Sequence, residues 1–169
     1  MKALIVVESM FGNTRAVADA IAEGMKQASP PAEVVVVDVA GASAVVPDEV
    51  ELLVLGGPTH AFSMTRESTR KDALAKAGSP NGAAKAETGI REWIAAVGPE
   101  GTVKVVTFDT RVKKAFIPGS AAKSAAKALE DRGFEHAERG ETFWVEDTPG
   151  PLKPGEIERA REWGRQLAS

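Results

Sequence analysis

Residues 3–15 of the chain read Ala3-Leu4-Ile5-Val6-Val7-Glu8-Ser9-Met10-Phe11-Gly12-Asn13-Thr14-Arg15. The first five are apolar without a break, which is typical of a strand buried on both faces of a parallel sheet. A polar loop with one glycine follows at once, and over residues 14–25 apolar side chains recur at helical spacing. The stretch therefore predicts a buried strand, a short loop and an amphipathic helix.

The same order of strand and helix recurs along the chain. Nearly continuous, β-branched apolar runs predict strands at residues 3–7, 34–39, 52–55 and 103–108, and a fifth strand is expected at 142–146. Helical patterns occupy residues 14–25, 89–97, 119–132 and 155–168. This alternation predicts an α/β fold, an open parallel five-stranded sheet with right-handed crossovers and helices on both faces.

Two segments interrupt the repeat. Residues 64–88 are rich in Ala, Gly and Lys around Ser79-Pro80-Asn81-Gly82, and we expect a short helix and a mobile loop there. Residues 148–155 are rich in proline and predict a stiff tether across the surface rather than a domain linker. Residues 1–169 are therefore expected to form one domain.

Composition excludes several classes of function. The chain has no cysteine, so disulfides, iron–sulfur clusters, thiolate metal sites and cysteine nucleophiles are ruled out, and redox chemistry would need a bound cofactor. The net charge of -3 indicates neither a nucleic-acid nor a membrane partner. Two histidines without a carboxylate pattern predict no metal site, and without a signal segment or membrane span we expect a cytoplasmic protein.

The loop between the first strand and the first helix has the composition of an anion site. Ser9 and Thr14 offer hydroxyls, Asn13 an amide and Gly12 a flexible backbone, all beside a helix N-terminus where backbone N–H groups lack partners. The loop lacks both the P-loop lysine and the three glycines of dinucleotide sites, so a terminal phosphate monoester fits it best. The alternatives are that Ser9 or Asn13 only caps the helix, and that Arg15 is a solvated first-turn residue.

Three motifs resemble those of the flavodoxin family. Ser9-Met10-Phe11-Gly12-Asn13-Thr14 is similar to the flavodoxin phosphate loop, Ser/Thr-x-Thr/Tyr-Gly-Asn-Thr. Residues 53–60, Leu-Val-Leu-Gly-Gly-Pro-Thr-His, resemble the third strand and the loop beside the flavin, and residues 116–121, Phe-Ile-Pro-Gly-Ser-Ala, resemble the entry to the fourth helix. The resemblance implies strand order 2-1-3-4-5 and non-covalently bound FMN.

The resemblance also implies that three loops form the FMN site. Residues 9–14 would hold the phosphate, 58–64 would cover one face of the isoalloxazine, and 109–116 would cover the other face and the pyrimidine edge. The side chain that stacks on the ring would be His60, Phe62, Phe108 or Phe116. The alternatives are core packing for Phe108 and Phe116, an apolar anchor of the loop for Phe62 and a turn residue for Asp109. The expected FMN contacts are Ser9, Met10, Phe11, Gly12, Asn13, Thr14, Pro58, Thr59, His60, Ala61, Phe62, Phe108, Asp109, Thr110 and Arg111.

The function implied by the resemblance is electron transfer with a redox partner protein or a small acceptor, rather than catalysis by a stand-alone enzyme. The chain departs from electron-carrier flavodoxins because it has no tyrosine and places cations near the ligand loops: Arg66, Arg70, Arg111, Lys113 and Lys114. A cation beside the flavin would raise its reduction potential, whereas solvated loop charges would not. The alternatives are a small quinone-type FMN reductase, with Arg111 or His60 near its substrate, and a flavin-free binding module.

Overall fold

The computed structural model describes residues 1–77, 88–98, 102–113 and 118–169. In this part of the chain the strands are β1 (Lys2–Val7), β2 (Glu33–Asp38), β3 (Leu52–His60), β4 (Ser63–Met64), β5 (Lys104–Val112) and β6 (Ala137–Val145). The helices are α1 (Asn13–Gln27), α2 (Glu67–Ala77), α3 (Ile90–Ala96), α4 (Ala121–Asp131) and α5 (Glu156–Leu167), with a short 3-10 turn at Val39–Gly41.

Five strands form a parallel sheet in the order β2-β1-β3-β5-β6. Numbered along the chain as five parallel strands, this is the predicted order 2-1-3-4-5, which is confirmed. The two-residue strand β4 was not predicted, and it turns back to pair antiparallel with the end of β3.

Helices cover both faces of the sheet, as the unbroken apolar strands require. On one face α1 and α5 pack over a core that includes Ile21, Phe108 and Phe143. On the other face α3 and α4 pack over Leu53, Leu55 and their neighbours. Both faces of the central strands are therefore buried.

Two glycines allow α1 and α5 to pack unusually closely. A Cβ atom at Gly164 would lie 2.1 Å from the carbonyl oxygen of Ile21, and one at Gly24 would lie 1.9 Å from that of Arg161. Any larger residue would have to push the helices apart. The first and last helices of the chain thus form one layer.

Strands β3 and β5 extend beyond their predicted ends. Residues 58–60 and 109–112, expected to be loops, continue the two strands, and Pro58 is paired in register with Thr110. Proline is tolerated in this central strand because β1 has already ended, with Val7 opposite Gly56. Strand β6 begins at Ala137 rather than at the expected residue 142. The first half of the strand carries charged residues, which are typical of a sheet edge and give no apolar pattern in the sequence.

The two interrupting segments have different outcomes. The short helix expected within residues 64–88 is α2, whereas the predicted mobile loop, with Ser79-Pro80-Asn81-Gly82, lies outside the described residues. Phe116 and Lys114 also lie outside them. Residues 148–155 run as a connection without helix, and Leu152 forms an antiparallel bridge with Val145. No helix in the described ranges is both long enough and apolar enough to cross a bilayer.

Candidate functional site

The loop that joins β1 to α1 leaves the helix N-terminus without a side-chain cap. Gly12, at the N-cap position, has a φ angle of 92°, and no side chain accepts a hydrogen bond from the first turn of α1. The Ser9 hydroxyl accepts a bond from the Gly12 N–H group at 3.1 Å, so it shapes the loop while keeping its own proton to donate. The helix end therefore presents unpaired N–H groups, as anion sites do. We call residues 9–14 the phosphate loop.

Two side chains of this loop tie it to distant elements. The Asn13 amide donates to the carbonyl oxygen of Pro149 at 3.1 Å, in the connection before α5. The Thr14 hydroxyl lies 2.8 Å from that of Thr110 on β5, where both are buried. Asn13 and Thr14 thus hold the loop against the rest of the site, and neither acts simply as a helix cap.

A cleft opens at the carboxyl ends of β1, β3 and β5. We call it the β3-side cleft. Its lining includes nine of the residues singled out from the sequence and three that were not, in order Met10, Phe11, Asn13, Thr14, Pro58, Thr59, His60, Thr110 and Arg111, then Val112, Val145 and Thr148.

The three additional residues gave no usable signal in the sequence. Val112 and Val145 are the last residues of β5 and β6, and their apolar side chains indicate only a strand. The two valines lie opposite each other at the cleft because β5 and β6 pair in parallel. Thr148 belongs to the proline-rich connection.

The aromatic candidates occupy different environments. Phe108 is fully buried and packs edge-on against Phe143 and Trp163, with ring centroids 6.2 and 6.3 Å away. Its ring lies against Gly56, where a Cβ atom would approach it to 2.1 Å. Phe108 is therefore a core residue, as its packing alternative predicts, and it does not line the cleft.

Phe62 lies at the tip of the β3–β4 hairpin. Its side chain is 56% exposed, and both Ala61 and Phe62 adopt positive φ angles, 47° and 70°. The backbone of Phe62 packs against Gly119, which has no room for a side chain. Neither hairpin residue lines the β3-side cleft, although Ala61 borders an adjoining recess.

His60 contributes to two cavities. It lines the β3-side cleft and also a recess formed with Thr69, Asp72, Lys76 and Thr148. Its Nδ1 atom is buried and has no hydrogen-bond partner among the described residues. Burial, with a smaller contribution from the positive charge of Arg70, lowers the pKa of His60 to about 4. The imidazole is therefore neutral at pH 7 and has one nitrogen that can bond to a ligand.

Asp109 holds the residues of the cleft wall in place through hydrogen bonds. One of its carboxylate oxygens accepts hydrogen bonds from the Thr59 hydroxyl and the Ala122 N–H group, both at 3.1 Å, and from the Ser120 hydroxyl. The Thr59 hydroxyl in turn accepts from the Ala121 N–H group at 3.0 Å. Asp109 is fully buried and fastens the start of α4 to β3, so its place is below the cleft lining.

Arg111 supplies a positive charge at the cleft. Its guanidinium lies 4.9 Å from the centre of the Trp144 ring and donates to the carbonyl oxygen of Gly119. Lys113 lies over the same ring at 5.6 Å. These contacts hold the two cations near β6, and only Arg111 lines the cleft.

A buried charge cluster lies beneath the phosphate loop. The Glu8 carboxylate accepts hydrogen bonds from the Thr65 hydroxyl at 2.6 Å and from the Ile90 N–H group at 2.9 Å. Arg70 donates to Thr65 at 2.7 Å and pairs with Glu92. Burial raises the pKa of Glu8, against the opposing effect of these hydrogen bonds and of Arg70. We call Glu8, Thr65, Arg70 and Glu92 the buried charge cluster.

The position of Arg70 corrects one expectation from the sequence. The sequence places Arg70 among the loop cations near the ligand, but it is fully buried on α2, where it pairs with the half-buried Glu92 and lies near the buried Glu8. The reason is that Arg70 contacts both Thr65, which also bonds to Glu8, and Glu92, although these residues are far apart in the sequence. Groups of His and acidic side chains suited to a metal ion are absent from the described residues.

Comparison with known proteins supports the fold. No family model and no curated protein matches the sequence. Many solved structures are similar to the chain, and the following three are among those that superpose along nearly all of it. A flavodoxin from the domain Archaea is 19% identical, with a TM-score of 0.60 and coverage of 99% of this chain and 96% of that one.

The other two structures come from bacteria. A flavodoxin of Streptococcus pneumonia TIGR4 is 20% identical, with a TM-score of 0.59 and coverage of 99% and 98%. An oxidised Flavodoxin 2 from Bacillus cereus is 18% identical, with a TM-score of 0.60 and the same coverage. Identities this low bear on architecture alone, and the chain has a flavodoxin-like fold.

Proposed function

We propose that the protein binds FMN non-covalently and transfers electrons through it, with a redox partner protein or a small acceptor. The observation that carries the proposal is the uncapped N-terminus of α1, which lies beside the β3-side cleft at the point where the strand order reverses. In open α/β sheets, ligands bind in the crevice at this point. Solved structures with this fold include flavodoxins.

The phosphate loop suits a phosphate monoester. Backbone N–H groups of the first turn would donate to the phosphate oxygens, and the Ser9 and Thr14 hydroxyls would add to them. The helix dipole favours an anion at this end by about 0.3–2 kcal/mol. Asn13 would keep its bond to Pro149, so that the loop is shaped before the ligand arrives.

The walls of the β3-side cleft suit the flavin ring. Residues 58–60 form one wall and residues 110–112 the other, with the unpartnered Nδ1 of neutral His60 available for a polar atom of the ring. Bound FMN would supply one- or two-electron chemistry, and the positive charge of Arg111 would favour its reduced, anionic form. The chain's own part is to hold the phosphate, orient the ring and limit access of water.

A second candidate function is a small FMN-dependent reductase for a quinone-type acceptor. The observation that favours it is the recess that His60 also lines, which is bordered by Lys76 and Asp72. A small acceptor in this recess would lie beside the same imidazole as the flavin. Steady-state turnover with a nicotinamide donor would distinguish this activity from electron transfer to a protein.

The experiment is a titration of the purified protein with FMN and with riboflavin, followed by flavin fluorescence and melting temperature. We expect FMN to bind at least about tenfold more tightly than riboflavin, because only FMN places a charged group on the helix end. The Ser9→Ala variant should weaken FMN binding by about tenfold and leave riboflavin binding unchanged.

The matched control is Ser43→Ala, which removes a hydroxyl from an exposed turn outside the β3-side cleft and the recess beside it. It should alter neither affinity. Equal binding of FMN and riboflavin would contradict the role of the phosphate loop. Failure of both to bind or to raise the melting temperature would instead favour a flavin-free binding module.

A further inference from the structure

The tip of the β3–β4 hairpin presents an aromatic ring to solvent. Phe62 is 56% exposed, and among the large apolar residues exposed in the described part of the chain it alone is aromatic. Its φ angle of 70° lies in a region that bulky residues rarely adopt. Because the ring is exposed, its own packing does not offset this strain. Strained positions of this kind cluster at functional sites, so the ring is a candidate contact for another molecule.

The start of α4 brings a cation beside the hairpin. The Ser63 hydroxyl donates to that of Ser124 at 2.9 Å, and Gly119 packs against the backbone of Phe62. Lys123 is exposed in the first turn of α4, between these two contacts. In the described ranges its ammonium group forms no ion pair. Its charge is therefore available to a molecule that touches the hairpin.

Two arginines lie beside the second strand of the hairpin. Arg91 donates to the carbonyl oxygens of Met64 at 3.0 Å and Thr65 at 3.2 Å, and the exposed Arg66 follows directly in the chain. Burial, and then repulsion from the positive charge of Arg66, lower the pKa of Arg91, and the opposing effect of Glu92 is smaller. Positive charge is therefore concentrated here and only partly compensated.

A third arginine connects the hairpin with the β3-side cleft. Arg111 donates to the carbonyl oxygen of Gly119, beside Phe62, and its guanidinium lies 4.9 Å from the ring centre of the half-buried Trp144. Arg111 also lines the cleft. Cations and aromatic rings thus continue from the cleft to the hairpin tip. We call Phe62, Arg66, Arg91, Arg111 and Lys123 the hairpin surface.

The hairpin surface has the composition of a protein-binding site for an acidic partner. Aromatic and arginine side chains are enriched at the energetic centres of interfaces. The whole chain carries a net charge of -3, yet cations surround Phe62. The exposed carboxylate of Glu67, next to Arg66, is already paired with Lys71. Complementary potentials steer and orient protein partners, so the excess positive charge favours a negatively charged surface.

We propose that the hairpin surface is where the redox partner docks, and that this partner is an acidic protein. The redox role of the partner rests on the proposed function, whereas docking itself needs no bound FMN. Phe62 enters an apolar depression on the partner, and Arg66, Arg91 and Lys123 pair with carboxylates around it. Arg111 lies between this anchor and the β3-side cleft, so the partner docks beside the proposed flavin site.

The test measures the binding of a [2Fe–2S] ferredoxin, chosen for its negative net charge at pH 7, to the whole chain. A cytochrome c of positive net charge is the reference probe. At low salt we expect the ferredoxin to shift the amide NMR signals of residues 61–66 and 119–123, and cytochrome c to leave them unchanged. The ferredoxin affinity should fall as salt is raised, because exposed charges are then screened.

Two variants locate the contact. Phe62→Asn removes the ring and introduces a residue that tolerates a positive φ, so the hairpin should still fold. It should lower ferredoxin affinity by about tenfold, and Lys123→Glu should lower it by about three- to tenfold, with FMN affinity unchanged in both. The matched control is Lys104→Glu, which makes the same change of net charge at the other end of β5 from Arg111. It should change ferredoxin affinity by less than about twofold.

Each outcome decides for or against the inference. Failure of the ferredoxin to bind, or tighter binding of cytochrome c, would overturn it and leave the FMN site standing. Equal losses from Lys123→Glu and Lys104→Glu would show that affinity follows net charge alone, which also overturns it.

The effect of Phe62→Asn on FMN is equally decisive. If this variant weakens FMN binding and not ferredoxin binding, Phe62 covers the flavin ring and does not anchor a partner. If FMN fails to bind while the ferredoxin binds as expected, the proposed function is wrong and the docking surface stands. Melting temperatures of the variants establish that each is folded.

Discussion

Arg70 combines complete burial with a positive charge. It has the largest volume among the fully buried side chains of the described residues, and it pairs with Glu92 and bonds to Thr65. Its positive charge also acts on the buried carboxylate of Glu8, and leaving a buried charge without its partner typically costs about 3–5 kcal/mol. We therefore predict that Arg70→Met lowers the free energy of unfolding by about 3 kcal/mol or more, measured by urea denaturation.

The neighbouring residue on α2 gives the control for this prediction. Lys71 pairs with Glu67 on the exposed side of the helix. Lys71→Met therefore removes a cation from the same helix without leaving a buried charge unpaired. Its unfolding midpoint should match that of the wild type. If both variants lose the same stability, the effect belongs to α2 as a helix and not to the buried charge cluster.

The hairpin formed by β3 and β4 places strain beside the candidate site. His60 pairs with Ser63, and the two residues between them, Ala61 and Phe62, both have positive φ. This is the geometry of a two-residue hairpin turn that usually carries asparagine and glycine. A left-handed conformation costs a non-glycine residue about 1–2 kcal/mol, and glycine avoids most of this cost.

We predict that Ala61→Gly stabilises the protein by about 0.5–1 kcal/mol, because the relief of backbone strain exceeds the added entropy of the unfolded chain. The measurement is the shift of the urea midpoint. The same exchange at Ala75, exposed within α2, should destabilise the protein by a similar amount, because glycine weakens a helix. A loss of stability at position 61 would show that the turn is not strained.

The parts of the fold that the sequence predicts are those with a strong local pattern. The run from Ala3 to Thr14 predicts β1, the phosphate loop and the start of α1 because burial, polarity and helical spacing change abruptly along it. The β3–β4 hairpin could not be predicted, since Ala61 and Phe62 give no turn signal. The charged first half of β6 was missed because a sheet edge needs no apolar alternation.

The candidate site divides in the same way. The lining contributed by the phosphate loop follows from adjacent residues, whereas the buried charge cluster joins residues separated by up to 84 positions, Glu8 to Glu92. Only the parallel register of the sheet and the packing of α2 and α3 bring them together. Local sequence cannot distinguish Arg70, buried among carboxylates, from Arg66, which is exposed on the same stretch.

Polar groups are gathered in the interior at one end of the molecule. Glu8, Thr14, Thr65, Arg70 and Asp109 are all buried near the carboxyl ends of the strands, close to the β3-side cleft. The opposite ends of β1 and β3 carry apolar contacts and surface ion pairs. Because titratable groups are held in this interior, the stability of the whole molecule must depend on pH.

His60 makes the sign of one part of this dependence predictable. Its pKa is about 4 in the folded protein, against an ordinary 6.5. Between these values the unfolded chain binds the proton more readily, so the contribution of His60 to stability is present above pH 6.5 and is lost as the pH falls toward 4. The difference corresponds to about 3 kcal/mol. Glu8, whose pKa burial raises, contributes with the opposite sign: its share of stability decreases as the pH rises.

The comparison of wild type with His60→Gln isolates the histidine, because Glu8 titrates in both proteins. Urea unfolding at intervals from pH 7 to pH 4 should show the wild type losing about 3 kcal/mol relative to the variant. An NMR titration of the His60 Cε1–H signal, assigned by its absence from the variant, should show the ring still neutral at pH 5.5. Parallel stability profiles would mean that solvent reaches His60 and that the ring is protonated in the folded protein. Its unpartnered nitrogen would then be unable to accept a hydrogen bond from a flavin at mildly acidic pH.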